Sequence, residues 1–599
     1  MTAHYSHPLP FGATIIAPDR TRFRLWAPTA KSVGVELDGA EPVPMAEDAT
    51  CPGWFEVELG CGVGTAYRYW VRSEKEGEIS VPDPASRAQQ RDVHDASLVI
   101  DPNAYTWVHA EWQGRPWHET VLYELHVGAL GGFSGVAQRL PELARLGITA
   151  VELMPVADFP GANNWGYDGV LPFSPDAAYG TPEELKALID SAHGLGMMVF
   201  LDVVYNHFGP EGNYLGIYAA PFFRDDQPTL WGHAIDFRQP EVSEYFIQNA
   251  LYWFQEYRFD GLRLDATHAI TEQDWLTRLA KRARECSADA DPHRHIHLVL
   301  EHENNAAHFL ESDFNAQWND DGHHVLHVML TGESGAYYVD YADRPAEKLA
   351  RCLAEGFIYQ GDASVFRKGQ TRGEPSADLA PTAFVLFLQN HDQIGNRAFG
   401  DRLTTLADPR ALQAAQALLL LCPQIPLLFM GEESNTTSPF FYFTSHQDPA
   451  LAEAVRAGRY REFAGLPEFS DAEKRQAIPD PNDPSTFLRS IYSTSEASAL
   501  IAELLAIRHT HIIPRLAHAK AIDARAIGPA AVVACWRMGD NTLLVIMVNL
   551  DALPVPVTLK GLIRPVGADV LFASDGAVDA LAGGELAGYA TLVLLEPAP

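Results

Sequence analysis

Residues 261–265 read GLRLD, an apolar strand pattern that ends on a carboxylate and carries a guanidinium two positions earlier. Three other stretches share that shape: LDVVYNH at 201–207, LVLEHE at 298–303 and LQNHD at 388–392. Each polar cluster follows an apolar run rich in β-branched or aromatic residues. Each therefore reads as the C-terminal end of a buried parallel strand, where a β/α barrel gathers its chemistry. Residues two apart on a strand share a face, so Arg263 and Asp265 enter one pocket together and Asp265 gains a cationic neighbour. Asp202 is read as the residue that orients Arg263.

An ionised carboxylate and a second carboxyl that carries a proton are what glycosidic bond cleavage needs, one as nucleophile and one as acid. Asp265 is the nucleophile candidate. Glu301 comes from the next strand, with Glu303 two residues further on. Strict alternation would point both acids the same way, so direction alone does not choose between them. Glu301 is preferred because it directly ends the apolar run HLVL.

In order and on the right strands, LDVVYNH, GLRLDATHA, the strand-end Glu301 and LQNHDQIGNR resemble the α-amylase superfamily. These are retaining enzymes that act on α-glucosidic bonds in a TIM (β/α)8 barrel. The resemblance implies that Asp265 is the nucleophile, Glu301 the general acid/base, and Asp392 the carboxylate that binds sugar hydroxyls and distorts the ring. By the same matching, Tyr167 of NWGYDG, His207, Arg263 and His391 line the pocket of the sugar being cleaved. In many calcium-dependent amylases the residue matching Asn206 is a metal ligand. No loop here is dense enough in oxygen ligands to complete a calcium site, so the expectation is no required metal and no cofactor.

Longer phrases narrow the resemblance to the maltooligosyltrehalose trehalohydrolases within that superfamily. They are GPEGNYLGIYAAPFF with WGHAIDF, WNDDGHH, GEPSADLAPTAFVLFLQNHDQIGNR and SPFFYFTSHQDPALAEAVRAGR. The substrate implied is maltooligosyltrehalose, an α-1,4 glucan whose reducing end has become a trehalose unit. The implied products are trehalose and a maltooligosaccharide, and the implied functional partner is a maltooligosyltrehalose synthase. Many α-amylases have Lys-His three and four positions after the nucleophile, where this chain has His268-Ala269. The smaller Ala269 leaves room for the bent disaccharide. Trp231, Phe366 and Arg367 are further candidates for the leaving-group side, with ordinary loop packing as the alternative. A glycogen branching enzyme is the rival reading, against which NHDQIGNR and WNDDGHH count. A non-catalytic carbohydrate-binding protein is the second rival, opposed by the presence of all three carboxylates.

The chain has 599 residues, 47% of them hydrophobic, enough to fill a barrel core with further domains on either side. A formal charge of −34 argues against nucleic acid or an anionic membrane as partner, whereas a neutral sugar is indifferent to it. The six cysteines form no C-x-x-C pair; Cys51 and Cys61 could conceivably bridge, but reduced thiols are expected. The N-terminus shows no signal-peptide pattern and no apolar run is long enough to span a membrane, so a cytoplasmic home is expected. Alternation in TRFRLWAP, SVGVEL, GWFEVEL and AYRYWV predicts an immunoglobulin-like β-sandwich over residues 1–100. The proline-broken stretch VPDPASRAQQRDVHDAS is expected to run over the surface. The catalytic barrel is expected over 101–515, with long loops including 205–240 whose aromatics suit either sugar stacking or a small core of their own. A second β-sandwich is expected over 516–599.

Overall fold

The computed structural model describes residues 3–597 apart from 75, 230–231, 465–468, 470, 494 and 558–567, with backbone alone at 227–229, 232 and 472. Among the described residues, eight parallel strands close into a barrel in chain order. They are Leu122–Leu125, Ala150–Leu153, Met198–Val203, Gly261–Leu264, His297–Leu300, Ala316–Trp318, Phe384–Phe387 and Ile425–Phe429. The last pairs back to the first through Leu122 and Leu427. Helices cover the outer faces, so both sides of every strand are buried and the strand sequences are correspondingly apolar.

Alternation along these strands builds the barrel interior in layers. Leu122, Ala150, Phe200 and Val299 belong to the apolar core that fills the barrel. Two residues further along the same columns stand Glu124, Glu152, Asp202 and Glu301, and Arg263 stands two residues beyond Gly261. A polar layer thus lies directly above an apolar floor. Gly261 begins the fourth column because nothing larger fits: a Cβ there would lie 2.0 Å from Cε1 of Phe200 on the adjacent strand.

WNDDGHH reads as a short segment in sequence, but Trp318 closes the sixth barrel strand. Asn319 then caps the helix Asp320–Thr331, its side chain accepting from the Gly322 N–H at 3.2 Å. Three residues carry no usable period, which is why this strand is invisible to patterning. The helix expected to open at Thr181 is present as Pro182–Gly194. Thr181 Oγ1 accepts from the Glu184 N–H at 3.2 Å, and Glu184 Oε2 accepts from the Thr181 N–H at 2.8 Å. This is a complete capping box.

Before the barrel lie two antiparallel sheets. One pairs Gly12–Ala17, Arg20–Trp26 and Trp54–Leu59; the other centres on Ser32–Leu37 and Ala66–Ser73. Phe23, Leu25, Val35, Phe55 and Tyr69 are buried between them. The stretch that follows does not run over the surface as its polarity suggested. Residues 81–89 are buried. Their polar groups are satisfied internally: Tyr67 donates to Asp83 at 2.6 Å, and Arg87 pairs with Glu256 at 3.4 Å and donates to the His7 carbonyl at 2.8 Å. The 205–240 loop region packs on this sandwich. Tyr218 and Phe222 are buried, Phe222 lies against Trp26, Phe208 and Tyr245, and the Tyr218 carbonyl accepts from the Thr29 N–H at 3.0 Å. These two aromatics form core and offer no face to a sugar. Trp231 lies outside the described residues.

After the barrel, five antiparallel strands run in the order Lys520–Gly528, Ala531–Arg537, Leu543–Asn549, Ala590–Glu596 and Asp569–Ala573, beside a two-stranded ribbon of Val555–Pro556 and Glu585–Leu586. All six cysteines are unpaired. No helix among the described residues is long and apolar enough to cross a membrane.

Adding a methyl group at Gly261 forces the Phe200 ring out of the barrel floor, an overpacking that costs about 1–3 kcal/mol. Gly261→Ala is expected to unfold at a lower temperature in a thermal scan and to lose turnover, since Arg263 stands two residues along the same strand.

Candidate active site

The four sequence clusters meet at the C-terminal mouth of the barrel, organised by one guanidinium. Arg263 is fully buried. Its Nη1 donates to Asp202 Oδ2 at 2.6 Å and to Asp265 Oδ1 at 2.9 Å, and its Nη2 donates to Glu301 Oε2 at 2.6 Å. The guanidinium lies 4.1 Å from the centroid of the Trp318 ring. Burial opposes its charge, but Asp202 and Glu301 outweigh that and hold it well above the usual arginine range. Asp202 thus orients Arg263, as its position in LDVVYNH suggested.

Asp265 and Glu301 bind different terminal nitrogens of this planar group. Retaining glycosidases place their two carboxyls ~5 Å apart and inverting ones ~6.5–9.5 Å apart, the larger gap leaving room for a water. Here both carboxyls are held by one guanidinium, Asp265 on Nη1 at 2.9 Å and Glu301 on Nη2 at 2.6 Å. The second Asp265 oxygen, Oδ2, accepts from Asn206 Nδ2 at 2.8 Å. Glu301 Oε2 also takes the Ala266 N–H at 2.9 Å, which leaves Oε1 as the oxygen available to the cleft. Ala266 presents that N–H from a left-handed conformation, φ 40°, uncommon for a residue with a side chain and a sign of local constraint.

Glu303 does not point with Glu301. The strand stops at Leu300, so alternation no longer governs two residues later. Glu303 lies on the rim, its side chain 52% exposed, with Oε1 accepting from Arg367 Nη2 at 2.5 Å and Oε2 3.4 Å from His268 Nε2. His268 and Arg367 are thereby brought together through Glu303. Ala269, half-buried, ends the 3-10 turn Thr267–Ala269 just beyond Asp265. Phe366 is 49% exposed and meets the Tyr337 ring edge-on at 6.3 Å. The Tyr337 hydroxyl is 3.4 Å from Gln393, next in sequence to Asp392.

Asp392 sits in the first turn of His391–Gly395, 37% exposed, with Oδ1 accepting from Asn396 Nδ2 at 3.1 Å and 3.5 Å from His391 Nε2. The Tyr167 ring stacks on His391 at 5.0 Å and 22°, and its hydroxyl donates to Asp202 Oδ2 at 2.5 Å. His207 engages both ring nitrogens with the protein: Nδ1 lies 2.6 Å from Asn206 Oδ1 and Nε2 3.1 Å from the Tyr167 carbonyl. Contact between His207 and a sugar hydroxyl requires one of these bonds to be exchanged. Asn206 itself is committed to Asp265 on one side and His207 on the other.

The motifs left several buried acids near the mouth unmarked. Glu124 and Glu152 stand alone inside the apolar strands LYEL and AVEL, and an acid at an inward position of such a strand is a signal in itself. Glu152 is buried with both carboxyl oxygens unpartnered; burial, reinforced by Glu124 and Asp202, pushes it well above the usual carboxylate range. Asp320, which opens the helix after Trp318, is pushed up to about 8 by burial and then by Glu301. Among the described residues, no group of three or more His, Cys, Asp or Glu side chains could hold a metal ion.

Comparison with known proteins gives the family. Residues 100–220 match the alpha amylase catalytic domain, and residues 519–593 match a domain of unknown function, DUF3459. The malto-oligosyltrehalose trehalohydrolase of Deinococcus radiodurans is 40% identical across 82% of this chain and 78% of its own length. That of Rhizobium sp. (strain M-11) is 37% identical across 93% of this chain and 94% of its own. The crystal structure of a candidate alpha amylase from Salmonella typhimurium superposes with a TM-score of 0.89 and 41% identity, covering 98% of this chain and 100% of that one.

A hydrogen bond to a charged group is worth ~1.5–3 kcal/mol. Asn206→Ala removes the bond to Asp265 Oδ2, so kcat is expected to fall about 10- to 100-fold with KM little changed, a split that steady-state kinetics reads directly.

Proposed function

The chain belongs to the malto-oligosyltrehalose trehalohydrolases of the α-amylase superfamily, and we propose that it performs their reaction through Asp265, Glu301 and Asp392. It is a retaining glycoside hydrolase that cleaves the α-1,4 bond next to the terminal trehalose unit of maltooligosyltrehalose and releases trehalose. The observation that carries the residue assignment is the shared guanidinium of Arg263, which sets the nucleophile and the acid beside one another.

In the proposed mechanism, Glu301 delivers its proton through the cleft-facing oxygen to the oxygen linking the maltooligosyl part to trehalose. Asp265 attacks the anomeric carbon from the opposite face, the glycosidic bond breaks, and a glycosyl ester forms as trehalose leaves. Glu301, now ionised, takes a proton from water, which attacks the same carbon and cleaves the ester with net retention. Asp392 and His391 hold hydroxyls of the distorted ring, in bonds that tighten as oxocarbenium character develops. Tyr167 gives the pocket one wall. On the leaving-group side, the small side chain of Ala269 makes space for the bent disaccharide. The cluster of His268, Glu303 and Arg367, with Phe366 nearby, is the proposed frame for its hydroxyls.

The six unpaired cysteines support a reducing, cytoplasmic setting. There the substrate would come from a maltooligosyltrehalose synthase. A branching enzyme would use the same three carboxylates and pass the glycosyl group to a sugar hydroxyl. Amylose with iodine staining separates the two, because branching alone shifts the colour without releasing small sugars.

Nucleophile and proton donor act in the chemical steps, so Asp265→Ala and Glu301→Gln are each expected to lower kcat by on the order of 10⁴-fold or more while sugar binding persists. Glu303→Gln, on the rim, is expected to keep turnover within about tenfold of wild type. An active Glu301→Gln beside a dead Glu303→Gln would reverse the assignment.

Binding energy from the non-reacting disaccharide lowers the barrier for the correct leaving group alone. Maltotriosyltrehalose is therefore expected to be cut at the bond that frees trehalose, and far faster than maltopentaose is cut anywhere. Ala269→Phe is expected to slow trehalose release more than it slows cleavage of plain maltooligosaccharides, as product chromatography would show.

A further inference from the structure

We propose that Glu124, on the first barrel strand, is a positioning residue that holds His391 as a doubly protonated imidazolium aimed at the sugar. The inference rests on the reading of His391 as a group of the cleaved-sugar pocket. Glu124 is completely buried and grips His391 twice: Oε1 lies 2.5 Å from the imidazole Nδ1, and Oε2 accepts the His391 backbone N–H at 3.1 Å. The other ring nitrogen, Nε2, faces Asp392 Oδ1 at 3.5 Å. Both imidazole nitrogens thus face carboxylate oxygens, which only accept. A neutral imidazole has one N–H and can serve one of them; the imidazolium serves both. With Nδ1–H fixed on Glu124, the proton on Nε2 is what makes His391 a donor at the cleft.

The surroundings favour this charge. Trp165 meets the His391 ring edge-on and Tyr167 stacks on it, so water does not reach its faces. The titratable and charged groups that act on it are Glu124 and His126 from the first strand and its end, Glu152 from the second, Arg263 from the fourth, Asp392, and the stacked Tyr167. Burial alone would lower the His391 pKa, but Glu124 and then Asp392 raise it to about 9. Burial lowers His126 to about 4, so it adds no competing cation near neutrality. Glu152, directly opposite Glu124 in register, lacks partners and is pushed well up by burial, so it carries its proton and leaves Glu124 as the counterion. The sign follows: a raised histidine pKa means the charged form persists through neutrality and is lost as pH rises through about 9.

The test is a pH series on Glu124→Gln, which keeps the shape and removes the charge. An amide can accept the His391 N–H and donate to Nδ1, which supports a neutral ring and leaves burial to lower its hold on the second proton. The deficit against wild type is expected to be smallest at the acid end of the series and to widen to about 10- to 100-fold in kcat at about pH 8, with KM within about threefold. In a His391→Asn background, Glu124→Gln is expected to add nothing, because it acts through the histidine. Glu152→Gln should leave the profile unchanged, since that carboxyl is already neutral. A deficit equal at every pH, or additive with His391→Asn, would mean a structural role and overturn the proposal, as would an unaltered profile. If Glu124→Gln does not fold, the wild type over His391→Asn activity ratio decides: it should hold at neutral pH and collapse through about pH 9, and a ratio independent of pH overturns the proposal. Full activity in His391→Asn would instead defeat the underlying assignment of that histidine.

Discussion

One buried cation, Arg263, holds the catalytic mouth of this barrel together. Its guanidinium touches carboxylates from the third strand and from the turns after the fourth and the fifth, and rests on an indole from the sixth. Its Nε–H is buried without a partner, so even this arrangement leaves one donor unsatisfied. Deleting one member of a buried ion pair leaves an uncompensated charge and costs ~3–5 kcal/mol. Here three acids depend on the same partner. The placing of these acids is therefore set by the barrel's register, in which Asp202 stands directly beside Arg263 on the neighbouring strand.

That register is protected from both sides. Below, the apolar floor admits no side chain at Gly261. To the flank, the sandwich is bonded to the barrel through buried charges: Glu256 meets Arg87 from the linker and Lys186 from the second barrel helix, at 3.4 and 3.5 Å. Aromatics of the long loop after strand three are spent in this junction, with Phe222 lodged among Trp26, Phe208 and Tyr245. On the rim of the mouth, Glu303 joins His268 and Arg367.

Within a few ångströms the site uses burial in two opposite ways. Glu152 has no hydrogen-bond donor on either oxygen, and burial, reinforced by Glu124 and Asp202, outweighs the pull of Arg263 and His391, so it keeps its proton. His391 meets Glu124 and Asp392, so it keeps its proton despite burial. The same desolvation therefore yields a neutral acid and a charged base, and which one results depends on the neighbour alone. Retaining hydrolysis needs this kind of separation of roles among closely packed titratable groups.

The sequence by itself determined the barrel, the sandwiches flanking it and the clusters that meet at its mouth. Strand and helix periods, the capping box at Thr181 and the strand-end acids are local signals, each set by residues a few positions apart. It also identified Asp202 as the partner of Arg263. Choices that depend on where the chain goes next stayed out of reach. Glu301 and Glu303 look equivalent until the strand is seen to stop at Leu300; the linker reads as surface until Arg87 is seen to find Glu256. The sixth strand is too short to show a period, and Glu124 acquires meaning only when a residue 267 positions away is folded against it. Local patterning fixes which face a side chain takes, but contacts between distant strands decide which partner it meets, and the charge state of each buried group follows from that partner.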